Sequence, residues 1–233
     1  MTWFDNIRLR SGKPRATTAT TLKEAQSLLQ SAYHGDPAVR LAAIAALAQE
    51  PSPLTALTLL AGLSDPDPRV RLAAAEVLEQ QGDPAHRTHF LALLADENFE
   101  VRVTAIHFLG RIRDSEATQL LVSCLADSDS DVRRATALAL GQIRNPVALE
   151  PLVLALADHE PTVRHAAVAA LEQIDRRWVR THAAQSAIPR LEALSQDPQP
   201  WVAAAAQKVL AKLQEAKGTD TEFWNRESGI RNL

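Results

Sequence analysis

The sequence predicts an all-α solenoid of about six stacked helical hairpins. Three observations carry that expectation. A stretch of the form Asp-x-(Asp/Asn/Glu)-x-x-Val-Arg recurs at one constant spacing, with its Val-Arg pairs at Val39-Arg40, Val70-Arg71, Val101-Arg102, Val132-Arg133 and Val163-Arg164. A fixed period of this length marks an array whose units bury their apolar faces only against one another. Hydrophobic residues make up 46% of the 233 residues and aromatics only 4%. Ala and Leu must therefore do the packing, which favours helices over sheets. Counting each Val as zero, positions four, seven and eight are apolar or small. They read Ala74, Val77, Leu78; Ala105, Phe108, Leu109; Thr136, Ala139, Leu140; and Ala167, Ala170, Leu171. That spacing marks one buried helical face.

The elements follow in chain order. Residues 1–20 lack periodicity, carry Arg8, Arg10, Lys13 and Arg15, and read as an N-terminal arm. Thr21 with Glu24 three residues on is a capping-box pattern that opens a helix over 22–33 and begins a solenoid spanning 21–216. Second helices are expected at 37–48, 68–80, 99–111, 130–142 and 161–175. First helices end in the apolar runs 54–63, 90–94, 118–125 and 147–156. The residue three before each Val is Asp36, Asp67, Asn98, Asp129, Glu160 and finally Gln199, mostly good N-cap types. Pro37, Pro68, Pro161 and Pro200 follow at the first helical position, where a missing donor costs nothing. The period breaks once. After Val163 the next equivalent Val is Val202, eight positions late, and the surplus predicts a longer helix or insertion near 175–183. The last unit is expected to end near Leu213, leaving 217–233 as a C-terminal tail.

The run Leu63-x-Asp65-Pro66-Asp67-Pro68-Arg69-Val70-Arg71-x-Ala73-Ala74-x-x-x-Leu78, echoed from 36 to 210, resembles HEAT repeats. It is most similar to the short bacterial kind associated with phycobilin lyases. The resemblance implies a right-handed superhelix and a ladder between repeats, formed by an Asp in each turn and an Arg six residues later. The Asp positions are Asp65, Asp96, Asp127, Asp158 and Asp197, with His34 in the first unit. The Arg positions are Arg40, Arg71, Arg102, Arg133 and Arg164, with Ala203 in the last. The two gaps fall at opposite ends. Pairing each Arg with the Asp of the following repeat leaves nothing over: Arg40–Asp65, Arg71–Asp96, Arg102–Asp127, Arg133–Asp158 and Arg164–Asp197.

Chemistry is sparse. A net charge of -3 argues against bulk electrostatic binding of nucleic acid. No run approaches the roughly 18 apolar residues of a membrane span, and the N-terminus lacks a secretory pattern; the expectation is a soluble, cytoplasmic protein. Cys124, in an apolar run, reads as a small core residue. His86 and His89 read as surface histidines with no further ligands to complete a metal site. Neither a catalytic constellation, a metal nor a cofactor is expected.

The candidate binding residues lie at positions two and six of the second helices, one turn apart on one side. They are Leu41 with Ala45, Leu72 with Glu76, Val103 with His107, Arg134 with Leu138, and His165 with Ala169; Arg111 is nearby. One reading is an open groove for a peptide or helix, apolar in its first half and basic in its second. The other is that position two packs between repeats. Arg176, Arg177, Trp178 and Arg180 depart most from the repeat. They could anchor a protein, contact nucleic acid, or form a lengthened helix with Trp178 covering the last interface. The Trp3-Phe4 and Phe223-Trp224 pairs could cap the ends of the array or dock elsewhere. The favoured expectation is a non-catalytic scaffold or assembly factor for a protein partner. The alternatives are a phycobilin-lyase-like protein acting on a protein-bound chromophore, which rests on the resemblance alone, and a nucleic-acid-binding array.

Overall fold

The computed structural model describes residues 31–48 and 53–227, with side chains through 216 except at 53 and 54. The expected arm 1–20, nearly all of the helix 22–33 and the side chains of Phe223 and Trp224 lie outside the described residues. Twelve α-helices are described: α1 (Pro37–Leu47), α2 (Pro53–Gly62), α3 (Pro68–Gln81), α4 (Arg87–Leu93), α5 (Phe99–Arg111), α6 (Thr118–Cys124), α7 (Ser130–Ile143), α8 (Leu149–Ala155), α9 (Pro161–Ile174), α10 (His182–Ser186), α11 (Ile188–Leu194) and α12 (Pro200–Glu227). No strand occurs among the described residues. The second helices α1, α3, α5, α7 and α9 pack each on the next, and each first helix packs on the second helix of its own hairpin.

The turns explain the regularity. Asp36, Asp67, Asn98 and Asp129 adopt extended backbone angles and accept from amides of the first turn. Each such cap contributes about 1 kcal/mol by satisfying a donor the helix leaves free. Second helices end where the chain turns left-handed: Gly82, Arg113 and Arg144, each one period after the last, have φ of 65°, 53° and 60°. A short 3₁₀ turn then opens the next first helix, capped by Asp83, Asp114 or Asn145.

The core is continuous from Ile44 to Leu213. Phe90 and Phe108 stack with ring centroids 3.8 Å apart. Elsewhere small residues set the spacing. A Cβ on Gly141 would lie 2.8 Å from the Ala170 Cα, and one on Gly110 would lie 2.8 Å from the Ala139 Cβ. Only glycine lets α5, α7 and α9 approach this closely.

The insertion alternative holds near 175–183, and one expected boundary moves. The extra residues near 175–183 do not lengthen a helix. Asp175 is extended and ends α9, and a 3₁₀ turn at Trp178–Arg180 and the short α10 take up the insertion. The last helix does not stop near Leu213 but runs on to Glu227.

Candidate partner-binding face

The ladder is built from both sides of each turn. Arg40 donates through Nε and Nη2 to the two Asp65 carboxylate oxygens, both at 2.7 Å. Arg71 does the same to Asp96 (2.8 and 2.8 Å), Arg102 to Asp127 (2.9 and 2.9 Å) and Arg133 to Asp158 (2.7 and 3.0 Å). The third guanidinium nitrogen of each donates to the carbonyl six residues back in its own turn. The carboxylates also close their own turns, each accepting from the amide two residues on. His34 fills that role in the first unit, its Nδ1 accepting from the Asp36 amide at 3.0 Å. Burial opposes ionisation of Asp65 and Asp127, but the arginines and turn amides outweigh it and hold both below the usual carboxylate range. Bidentate geometry of this kind fixes the orientation of one repeat on the next.

The fifth expected pair does not form. Arg164 keeps the bonds to its own turn, donating to the Asp158 and His159 carbonyls at 2.7 and 3.0 Å. Asp197 still closes its turn on the Gln199 amide. The two do not meet because Asp197 stands eight positions farther along the chain from its arginine than the aspartates of the other four pairs. The surplus is folded into the Trp178 turn and α10, which displace the last hairpin from register.

Of the two readings of position two, the structure favours packing against the core over an open apolar half-groove. Leu41, Leu72, Val103 and Leu138 are only half exposed and pack against the core. What the face exposes is polar: His107, Arg111, Arg134 and His165. Arg111 lies 3.4 Å from Glu79, and Arg134 pairs with Asp131 at 3.0 Å. Partial burial, with Arg134 beyond it, lowers the His107 pKa against the opposing pull of Glu79. Glu76 is half-buried, and its Oε2 is buried with no partner among the described residues. Burial, with the charges of Glu100 and Glu79, raises its pKa.

Two polar hollows lie between successive second helices. One, of about 520 Å³, is lined by Glu79, His107, Gly110, Arg111, Arg113 and Gln142. The other, of about 500 Å³, is lined by Arg144, Ala169, Glu172, Gln173, Ile174 and Arg176. Positions nine to twelve after each Val therefore contribute, which counting positions two and six missed. The sequence signal for them is an arginine at position twelve in two repeats where a third has Gly82.

The residues 176–180 divide. Arg176, Arg177 and Arg180 are exposed. Trp178 is 2% exposed and sits in the core, with the Lys212 ammonium 5.1 Å from its ring centroid. It covers the irregular last interface and is not offered as a surface anchor. His86, expected on the surface, is buried, while His89 is exposed. Cys124 is half-buried; its thiol donates to the Leu120 carbonyl, and burial raises its pKa.

The family model of HEAT repeats matches residues 25–98 and 87–172, more than half of the chain. This chain belongs to the HEAT-repeat family. No protein of curated function matches the sequence. Among solved structures the HEAT array is similar to an engineered protein, with 20% identity and a TM-score of 0.56 over 83% of this chain and 97% of that one. It is also similar to a designed armadillo repeat protein in complex with the peptide (KR)4, with 20% identity and a TM-score of 0.53 over 82% and 99%. A weaker likeness is to the complex of CpcE and CpcF of phycocyanin lyase from Nostoc sp. PCC7120, with 23% identity and a TM-score of 0.48 over 79% and 74%. The first two likenesses show the stacked-hairpin fold and nothing finer.

Proposed function

We propose that this HEAT array is a non-catalytic interaction scaffold or assembly factor that binds a protein partner through its second-helix face. The observation that carries this reading is a division of labour among side chains. The ladder arginines Arg40, Arg71, Arg102 and Arg133 and the position-two aliphatics are consumed inside the solenoid. His107, Arg111, Arg134 and His165 stand exposed on one face, with polar hollows between the helices. These side chains lie outside the buried core and outside the ladder, and a charged, contoured face suits recognition of another protein. A designed repeat protein of similar architecture was solved with a peptide bound, which is consistent with such use. Burial of Trp178 removes the stacking group on which a nucleic-acid reading of 176–180 depended.

Site-specific photocrosslinking in the source cells tests the proposal. A crosslinker in place of His107 should capture a defined protein, and one in place of the exposed Leu120 on a first helix should not. Capture from Leu120 alone, or capture unaffected by Arg134→Glu, would overturn it.

A further inference from the structure

The break in the ladder opens a cleft. Position five of the second helices is fully buried at four consecutive interfaces: Ile44, Ala75, Ile106 and Ala137 are at most 1% exposed. Its counterpart in α9, Val168, is half exposed. The last helix α12 packs chiefly on α11 and on the Trp178 turn instead of on α9. Between α9 and α12 lies a cavity of about 610 Å³. Its floor is apolar, made by Leu156, Val168, Trp178 and Val209, and Trp201 on its wall is 57% exposed. Arg164, Lys208 and Lys212 also line it, with His165 beside them, and no carboxylate is among the described lining residues. His165 of the candidate face lines the cleft, so the cleft adjoins the face that carries His107.

Arg164 says what the cleft takes. Its Nη1 is engaged with its own turn, but Nε and Nη2 have no bonded partner among the described residues. In the four preceding repeats this same edge of the guanidinium grips an aspartate through two parallel bonds. The cleft therefore holds a carboxylate receptor whose internal carboxylate, Asp197, does not reach it.

We propose that a segment of the partner protein completes the ladder in trans: an Asp or Glu side chain docks on Arg164, and an adjacent bulky apolar side chain enters the Trp178–Val168 floor against Trp201. Lys208 and Lys212 attract further acidic residues of the segment. The inference rests on the scaffold reading and names the chemistry of the partner. Its volume is that of a pocket for one or two side chains, within the roughly 300–1,000 Å³ of ordinary ligand sites.

The test is selection of a phage-displayed random dodecapeptide library on the full chain. Enriched peptides should carry Asp or Glu within a few residues of Phe, Trp, Tyr or Leu. A synthetic copy should perturb tryptophan emission and bind more weakly as salt rises. Arg164→Lys keeps the charge but loses the two-pronged grip, and should weaken binding about tenfold, as should Lys208→Glu on the exposed rim. The Lys208→Glu, Lys212→Glu double variant should instead enrich basic peptides. Neutral or basic peptides from the unmodified chain, binding indifferent to both single substitutions, or no enrichment overturns the inference. The two readings fail separately. A partner captured at 107 but unaffected by Lys208→Glu sinks the cleft and leaves the scaffold. Absence of any capture at 107 sinks the scaffold reading, whatever peptides the cleft selects.

Discussion

The junction of α7 with α9 and the junction of α9 with α12 present the same repeat positions and end in opposite states. In the first, Arg133 grips Asp158, Gly141 lies against the Ala170 backbone, and Ala137 is sealed. In the second, Arg164 holds only its own turn, Glu172 occupies the glycine position and is exposed, and Val168 faces a cavity. Eight extra residues separate the two outcomes. Repeat identity thus sets what a side chain can do, and register decides whether it does it.

The largest effect is expected at the ladder. Arg133→Ala leaves Asp158 nearly buried without its partner and should cost about 3 kcal/mol, whereas Arg164→Ala should cost no more than about 1 kcal/mol. Equal losses in paired denaturant titrations would erase the distinction. Next, Gly141→Ala forces a Cβ against backbone and should cost roughly 1–3 kcal/mol, while Glu172→Ala at the same position should stay within about 0.5 kcal/mol.

The pH dependence should follow the same line. Asp65 and Asp127 have lowered folded-state pKa values. Their contribution is full above the ordinary carboxylate pKa of about 4 and is lost as pH falls through the lowered values. Hydrogen exchange on acidification should therefore loosen the α1–α3 and α5–α7 interfaces more than the α9–α12 junction, which has no such pair to lose. The smallest effect concerns Glu76, whose folded pKa is raised. Its ionisation costs stability above that pKa, and the cost vanishes below the ordinary glutamate value. Glu76→Gln should raise the melting temperature slightly at neutral pH, with the gain closing as pH falls. A gain that grew in acid would contradict the sign.

Much of the fold was legible because each turn is written in residues with one local job. Asp36, Asp67, Asn98 and Asp129 start helices wherever they stand, so the second helices fall within about a residue or two of their expected ends. The ladder was legible for the same reason wherever the spacing stayed constant. Counting arginines against aspartates could not reveal that Arg164 misses Asp197, because a count carries no geometry for the eight inserted residues. Which of the two readings of position two holds was not legible for a related reason. Whether Leu72 or Val103 is open depends on how closely two helices approach, and residues elsewhere on those helices, such as Gly110 against Ala139, set that distance. Trp178 illustrates the converse, since an aromatic in the most irregular segment is the side chain best able to fill an irregular gap.

The missing rung has a mechanical consequence. Through the first four joints, each hairpin is clamped to the next by a two-pronged ion pair and by close-packed helices, so those joints should bend together as one stiff rod. The joint at Asp175–Thr181 carries neither clamp. Under tension or torsion the array should yield there first, swinging α11 and α12 as a terminal flap, and a molecule wedged beside Arg164 would act as the splint that stiffens the whole.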